Sequence, residues 1–129
     1  MEKVKYSMEF SMKSVPIALL WNYLSTPHGL EHWFCDTVKQ QGKRFTFGWS
    51  GSEQDALLVA VRTYSYLRFH WVDEKDKSFF ELKISISELD DSIDLVVTDF
   101  STPEELEESR DVWHNQVEAL QRQLGCVVA

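Results

Sequence analysis

The stretch TPEELEESRDVWHNQVEALQRQLG, Thr102 to Gly125, decides the fold. Thr102 and Pro103 supply a hydroxyl cap and a first-turn proline, and Thr102-Pro103-Glu104-Glu105 also spells a capping box. Glu104, Glu105, Glu107 and Glu108 fall near the positive end of the helix dipole. Leu106, Trp113, Val117, Leu120 and Leu124 recur at helical spacing, and Gly125 closes the run. The pattern predicts a helix over 103–124, roughly 33 Å long at about 1.5 Å per residue. Six strands about 4.8 Å apart span a similar width. One helix can therefore lie across a whole sheet and bury its apolar stripe there.

The sequence before this helix supplies such a sheet. Tyr6, Met8, Phe10 and Met12 alternate with polar residues, as do Phe45, Phe47 and Trp49, and Leu67, Phe69 and Trp71. Phe80, Leu82, Ile84 and Ile86 repeat the pattern, and after the turn Leu89-Asp90-Asp91-Ser92 so do Ile93, Leu95 and Val97. Residues 55–63 are apolar on both faces, which predicts a central strand, and a weaker strand is expected over Cys35 to Gln40. Ser14-Val15-Pro16 and Thr26-Pro27 mark two short helices after the first strand. Sequential strands with short turns form an antiparallel meander, and one polar face per strand means cover on one side only. The expected class is α+β: a helix-grip fold, in which a curved antiparallel sheet of six or seven strands holds one long C-terminal helix.

Composition agrees with a packed domain. The 129 residues are 43% hydrophobic and 26% charged, the balance of a globular chain, and one domain over 1–129 is expected. The longest apolar run, Ala56 to Val61, is far short of the roughly 20 residues that span a bilayer. No apolar leader follows Met1, so a cytoplasmic location is expected. The net charge of −8 is uneven: residues 73–111 carry fourteen acidic side chains against four basic ones. Such a surface repels phosphate backbones and anionic membranes, which argues against nucleic-acid binding. It is either a solvated face with helix-end electrostatics or a docking face for a basic partner. Cys35 and Cys126 form no CxxC pair, and a structural disulfide is not expected. Cys126 lies in the tail after Gly125, where fraying is the default.

The stretch Leu20-Trp21-Asn22-Tyr23-Leu24-Ser25-Thr26-Pro27-His28-Gly29-Leu30-Glu31-His32-Trp33-Phe34 resembles the opening signature of START-like (SRPBCC) domains. The most similar subgroup resembles the C-terminal domain of activators of the heat-shock-protein-ninety ATPase. Gly42 before Phe45-Thr46-Phe47, the strand end Phe69-His70-Trp71, and Val112-Trp113-His114-Asn115-Gln116-Val117 in the last helix agree with it. The resemblance covers essentially the whole chain and implies the helix-grip fold. The superfamily includes lipid carriers, hormone receptors, aromatase/cyclases and chaperone activators, so the fold does not select the task. It brings no catalytic set and no cofactor. The join from Asp99 to Asp111 is compact and acidic, where many members carry a longer glycine-containing loop.

Several residues invite chemical readings. His28-Gly29-Leu30-Glu31-His32 spells HxxEH, the inverted zinc-protease pattern, but on a helix under two turns long that contains a glycine, so no metal site is expected. Cys35 near His32 reads as a packed apolar residue rather than a thiol and its base. His70 falls on the Arg68 face and His114 on the helix flank. Asp99 continues the phase of Leu95 and Val97 and so points inward at the end of the last strand, where a buried carboxylate needs a partner or a raised pKa. The aromatic faces carry the main functional expectation: Phe45, Phe47, Trp49, Phe69, Trp71 and Phe80 confront Trp113 and Val117, with Trp33 at the mouth and Asp99 as a polar group. Either these rings enclose a small hydrophobic or amphipathic ligand, or they pack solidly against one another. The alternatives are a chaperone-directed interaction module, implied by the resemblance, and a cyclase-like enzyme with Asp99 or His70 as base.

Overall fold

The computed structural model describes residues 2–13 and 15–126. Strand β1 (Val4–Lys13) is followed by two helices, α1 (Ile17–Ser25) and α2 (Pro27–Leu30). Six strands come next in succession: β2 (Thr37–Gln41), β3 (Arg44–Trp49), β4 (Ser52–Arg62), β5 (Tyr66–Trp71), β6 (Phe80–Ile86) and β7 (Ile93–Ser101). A 3-10 turn, Pro103–Glu105, then leads into α3 (Leu106–Gln123). All neighbours pair antiparallel, in the order β1-β7-β6-β5-β4-β3-β2. The fold is thus the expected α+β helix-grip arrangement, with β1 and β2 as its free edges.

The alternation read from the sequence sorts the two faces. Phe45, Phe47, Phe69, Phe80, Leu67, Leu82, Leu95 and Val97 are at most 1% exposed and form the core with Val117 and Leu120 of α3. The opposite face is polar and cross-linked. Arg68 donates to Glu81 at 2.9 and 3.1 Å, the Arg44 guanidinium pairs with Asp55, and Ser7 and Thr98 join hydroxyls at 2.9 Å. Two side-chain bonds fasten α3 and the turn after it to the first strand. The buried Gln121 amide donates to the Ser11 carbonyl at 2.9 Å, and the Cys126 thiol to the Met12 carbonyl at 3.2 Å.

Four local expectations need correction. The helix over 103–124 begins as a 3-10 turn, closed by the Glu105 amide on the Thr102 carbonyl at 3.1 Å, and the Thr102 side chain caps nothing. The early strand starts at Thr37 rather than Cys35, because Cys35 still belongs to the turn that follows α2, its amide bonded to the Leu30 carbonyl. Strand β4 lies third from the β2 edge. Its run of apolar residues is not buried: Leu57, Val59 and Val61 are 38%, 54% and 51% exposed. Its register shifts between Leu58 and Ala60, leaving Val59 as a bulge on a sheet covered on one side. Cys126 does not fray; it is 5% exposed, held as Gly125 turns the chain at φ 73°.

Thr26 behaves as its sequence predicts and accepts the Gly29 amide at 2.9 Å. The Ser14 cap lies outside the described residues, and α1 starts after Pro16 with no side-chain cap. Gly29 is required for a different reason from any metal motif. A Cβ there would meet the Asn22 carbonyl and lie 2.6 Å from Tyr23 Cα, so its absence lets α2 pack onto α1. No helix among the described residues is long and apolar enough to cross a membrane.

Candidate functional site

Strands β3, β5 and β7 run parallel to one another because an antiparallel neighbour separates each pair. Their C-terminal ends therefore share one edge of the sheet, and Trp49, Trp71 and Asp99 occupy those ends. Helix α3 crosses above them. Between helix and strand ends opens a cleft of about 450 Å³, floored by Trp49, Trp71, Asp99 and Phe34 and roofed by Glu105, Glu108, Ser109, Val112, Trp113 and Gln116.

Phe34 forms the inner wall. The turn after α2 places its ring 5.0 Å from Phe47, 5.4 Å from Phe80 and Trp49, and 5.7 Å from Trp113. Its carbonyl accepts the Trp49 indole N–H at 2.9 Å and the Gln116 amide at 2.7 Å. Sheet, turn and helix are thereby locked together at one atom. A second depression of about 460 Å³ shares Phe34, Trp49, Val112 and Gln116 with the first and continues past Trp33.

The polar end of the cleft is built around Asp99. Its carboxylate accepts the Trp113 indole N–H at 2.8 Å and the Phe100 amide at 2.7 Å. Burial nevertheless raises its pKa above the ordinary carboxylate value, with these two donors pulling the other way. Tyr6 is the cross-strand partner of Asp99 on the same face. Its hydroxyl is buried, has no hydrogen-bond partner, and is pushed to a higher pKa by burial and then by the Asp99 charge.

The expected site residues divide into two groups. Trp49, Trp71, Asp99 and Trp113 come together in the cleft, and Trp33 lies in the adjoining depression, its indole N–H bonded to the Tyr23 carbonyl at 2.9 Å. Phe45, Phe47, Phe69, Phe80 and Val117 lie beneath it in the solid core, with Phe69 5.0 Å from Phe80 and 5.1 Å from Phe45. Close packing of large rings leaves them no free surface. Six lining residues escaped the reading: Phe34, Glu105, Glu108, Ser109, Val112 and Gln116. The five on the helix carry a visible signal, since 105, 108/109, 112/113 and 116 recur at helical spacing on one face. Phe34 carries none, because it belongs to an irregular turn.

The remaining candidates have structural employment. Burial pushes the Cys35 thiol up to about 12, and its S–H donates to the Thr37 carbonyl at 3.3 Å. His32 faces away from it, toward His28 and Tyr23. Glu31 of the HxxEH stretch accepts the Val38 amide at 2.8 Å. His70 lies on the face opposite the cleft, but the loop before β6 folds over it, placing its nitrogens 2.7 Å from the Ser78 carbonyl and 3.0 Å from the Glu74 carbonyl. It cannot share a substrate with Asp99. His114 sits exposed on the flank of α3, 3.4 Å from Glu118.

Known proteins place this architecture. A Bacteroides fragilis protein solved by NMR is 37% identical, with 100% of this chain and 96% of that one covered and a TM-score of 0.69. The Aha1 dimer from Colwellia psychrerythraea superposes with a TM-score of 0.78 at 13% identity, covering 94% of this chain and 96% of that one. A protein of the dynemicin biosynthetic locus gives 0.77 at 18% identity, covering 94% of this chain and 47% of that one. Both of the latter establish fold alone. Among curated proteins, the transcriptional elongation regulator MINIYO of Arabidopsis thaliana is 28% identical over 90 residues, a match to 66% of this chain that spans only 6% of that protein's length. The START-like superfamily domain matches residues 1–126, so the chain belongs to the START-like superfamily.

Proposed function

We propose that the protein binds a small amphipathic molecule, without catalysing a reaction, in the cleft between α3 and the ends of β3, β5 and β7. The observation that carries this is the division between a filled core and an unfilled edge. The inner phenylalanines are packed to exclusion, whereas Trp49 and Trp71 remain part-exposed above them, facing Asp99 across about 450 Å³. An apolar wall with a few convergent polar groups is the usual make-up of a small-molecule site. The cleft edge supports a binding rather than a catalytic reading, since the other carboxylates that line it, Glu105 and Glu108, lie exposed at the rim and no His, Lys or Cys lines it beside Asp99.

Nile red, a neutral dye that fluoresces in apolar surroundings, should light up with the wild-type protein. Val112→Trp, which fills the cleft from an exposed helix position, should abolish the signal while leaving the fold intact by circular dichroism. No dye uptake by the wild type, or equal uptake by the variant, would sink the reading. Interaction with a chaperone is the second reading. It is supported by the likeness to the Aha1 dimer and the exposed acidic turn at Glu104, Glu105, Glu107 and Glu108. It requires salt-sensitive capture of a purified chaperone that neutralising those four residues removes.

A further inference from the structure

We propose that two copies of the protein join edge to edge through β1, antiparallel about a twofold axis at Ser7, so that their sheets run on into one another.

The direction of each backbone group in β1 follows from the alternation of an antiparallel ladder. The Ser87 amide bonds the Ser92 carbonyl at 2.9 Å, which sets the phase of β6 on β7: even-numbered residues of β7 turn their backbone groups to β6, and odd-numbered ones to β1. Leu95, Val97 and Asp99 thereby bond their partners Phe10, Met8 and Tyr6. The N–H and C=O groups of Lys5, Ser7 and Glu9 are left pointing out of the sheet. The Ser11 carbonyl, in the same phase, is taken by the Gln121 amide at 2.9 Å, which ends the open run.

The two edges of the sheet are not alike. On β2 a side chain closes the edge, the Glu31 carboxylate accepting the Val38 amide at 2.8 Å. On β1 no described residue bonds the backbone of Lys5, Ser7 or Glu9 from outside, and all three residues are exposed. No proline interrupts the strand, and its register slips only past Ser11. A bare edge of this kind is a template for another strand.

The side chains fit a second copy of the same strand. About a twofold axis at Ser7, Lys5 of each copy stands opposite Glu9 of the other, so the ion pair forms twice. Both side chains lie on the outer face, and neither has an ion pair with a described residue; the Lys5 ammonium rests 5.7 Å from the centre of the Phe79 ring. On the inner face the same register sets Val4 opposite Phe10 and Tyr6 opposite Met8, and covers Val4, which is 40% exposed. Neighbouring registers fail on charge. An axis at Glu9 sets Glu9 against Glu9 and Lys5 against Lys13, and an axis at Lys5 sets Lys5 against Lys5.

Sedimentation equilibrium at low salt tests the pairing. The wild type should pass from the mass of one chain to that of two as its concentration rises. Lys5→Glu and Glu9→Lys each place like charges opposite one another twice, and each should weaken the dimer at least about ten-fold. The two single variants mixed together, and the double variant Lys5→Glu/Glu9→Lys, should associate as the wild type does. Without any variant, hydrogen exchange at the Lys5, Ser7 and Glu9 amides should slow as wild-type concentration rises. A wild type that stays a single chain up to about 1 mM, a dimer indifferent to both single reversals, a mixture no tighter than its parts, or a dimer that leaves those amides unprotected overturns the proposal.

Discussion

At the scale of the residue, Asp99 joins most of the threads. Its inward direction was legible from the two-residue phase of Leu95 and Val97, because a strand with one buried face fixes every side chain after the first. Its partner Trp113 was legible too, but not the hydrogen bond between them, which depends on how far α3 lies along the sheet. Because burial raises its pKa, the folded state holds the Asp99 proton more tightly than the unfolded one. The stability this contributes is fully present below the ordinary carboxylate pKa of about 4 and is lost as pH rises through the folded-state value. Relative to Asp99→Asn, the wild type should therefore gain stability as pH is lowered from about 7 toward 4. Urea melts at several pH values read this directly, and a difference that stays constant with pH would contradict it. Phe34 marks the other limit, since neither period nor cap governs the turn that aims it.

At the scale of the element, two threonines with the same sequence context have different fates. Thr26-Pro27 and Thr102-Pro103 both spell a capped start. Thr26 accepts the Gly29 amide, whereas Thr102 precedes a 3-10 turn and contributes only its backbone carbonyl. Thr26→Ala should cost about 1 kcal/mol. Thr102→Ala should stay within about 0.5 kcal/mol, as for a side chain that caps nothing. Equal costs in thermal or chemical melts would show that the two starts are equivalent after all. The helix itself was readable because its stripe is long and regular, and only the geometry of its first turn was not.

At the scale of the molecule, the class and strand count followed from alternation, while strand position did not. The apolar run in β4 suggests two buried faces, yet only one side of the sheet is covered, and a bulge redirects the strand at Val59. The aromatic surplus also has two uses that alternation alone cannot separate. Phe47 and Phe69 inside their strands, and Phe80 at the start of β6, face other rings, whereas Trp49 and Trp71 at the C-terminal ends of β3 and β5 face the cleft. The acid excess is a whole-molecule property as well. With fourteen acidic and four basic side chains over residues 73–111, self-repulsion should weaken the fold at low ionic strength. Raising salt from about 0.01 to 0.15 M shortens the screening length from about 30 to 8 Å and should raise the melting temperature. A fall instead would mean that ion pairs such as Lys3 with Glu74 outweigh the repulsion.

The closure of β1 onto β7, with α3 tied to β1 through Gln121 and the turn after it through Cys126, sets the order in which a growing chain can fold. These two ties bridge 110 and 114 positions. Strands β2 to β6 can pair with neighbours as they emerge, but β1 must wait through the synthesis of almost everything else. Until β7 and α3 are made, its alternating apolar face has no permanent cover. Long-range closure of this kind slows folding, and it makes the earliest strand the most exposed to capture by folding helpers or by other nascent chains.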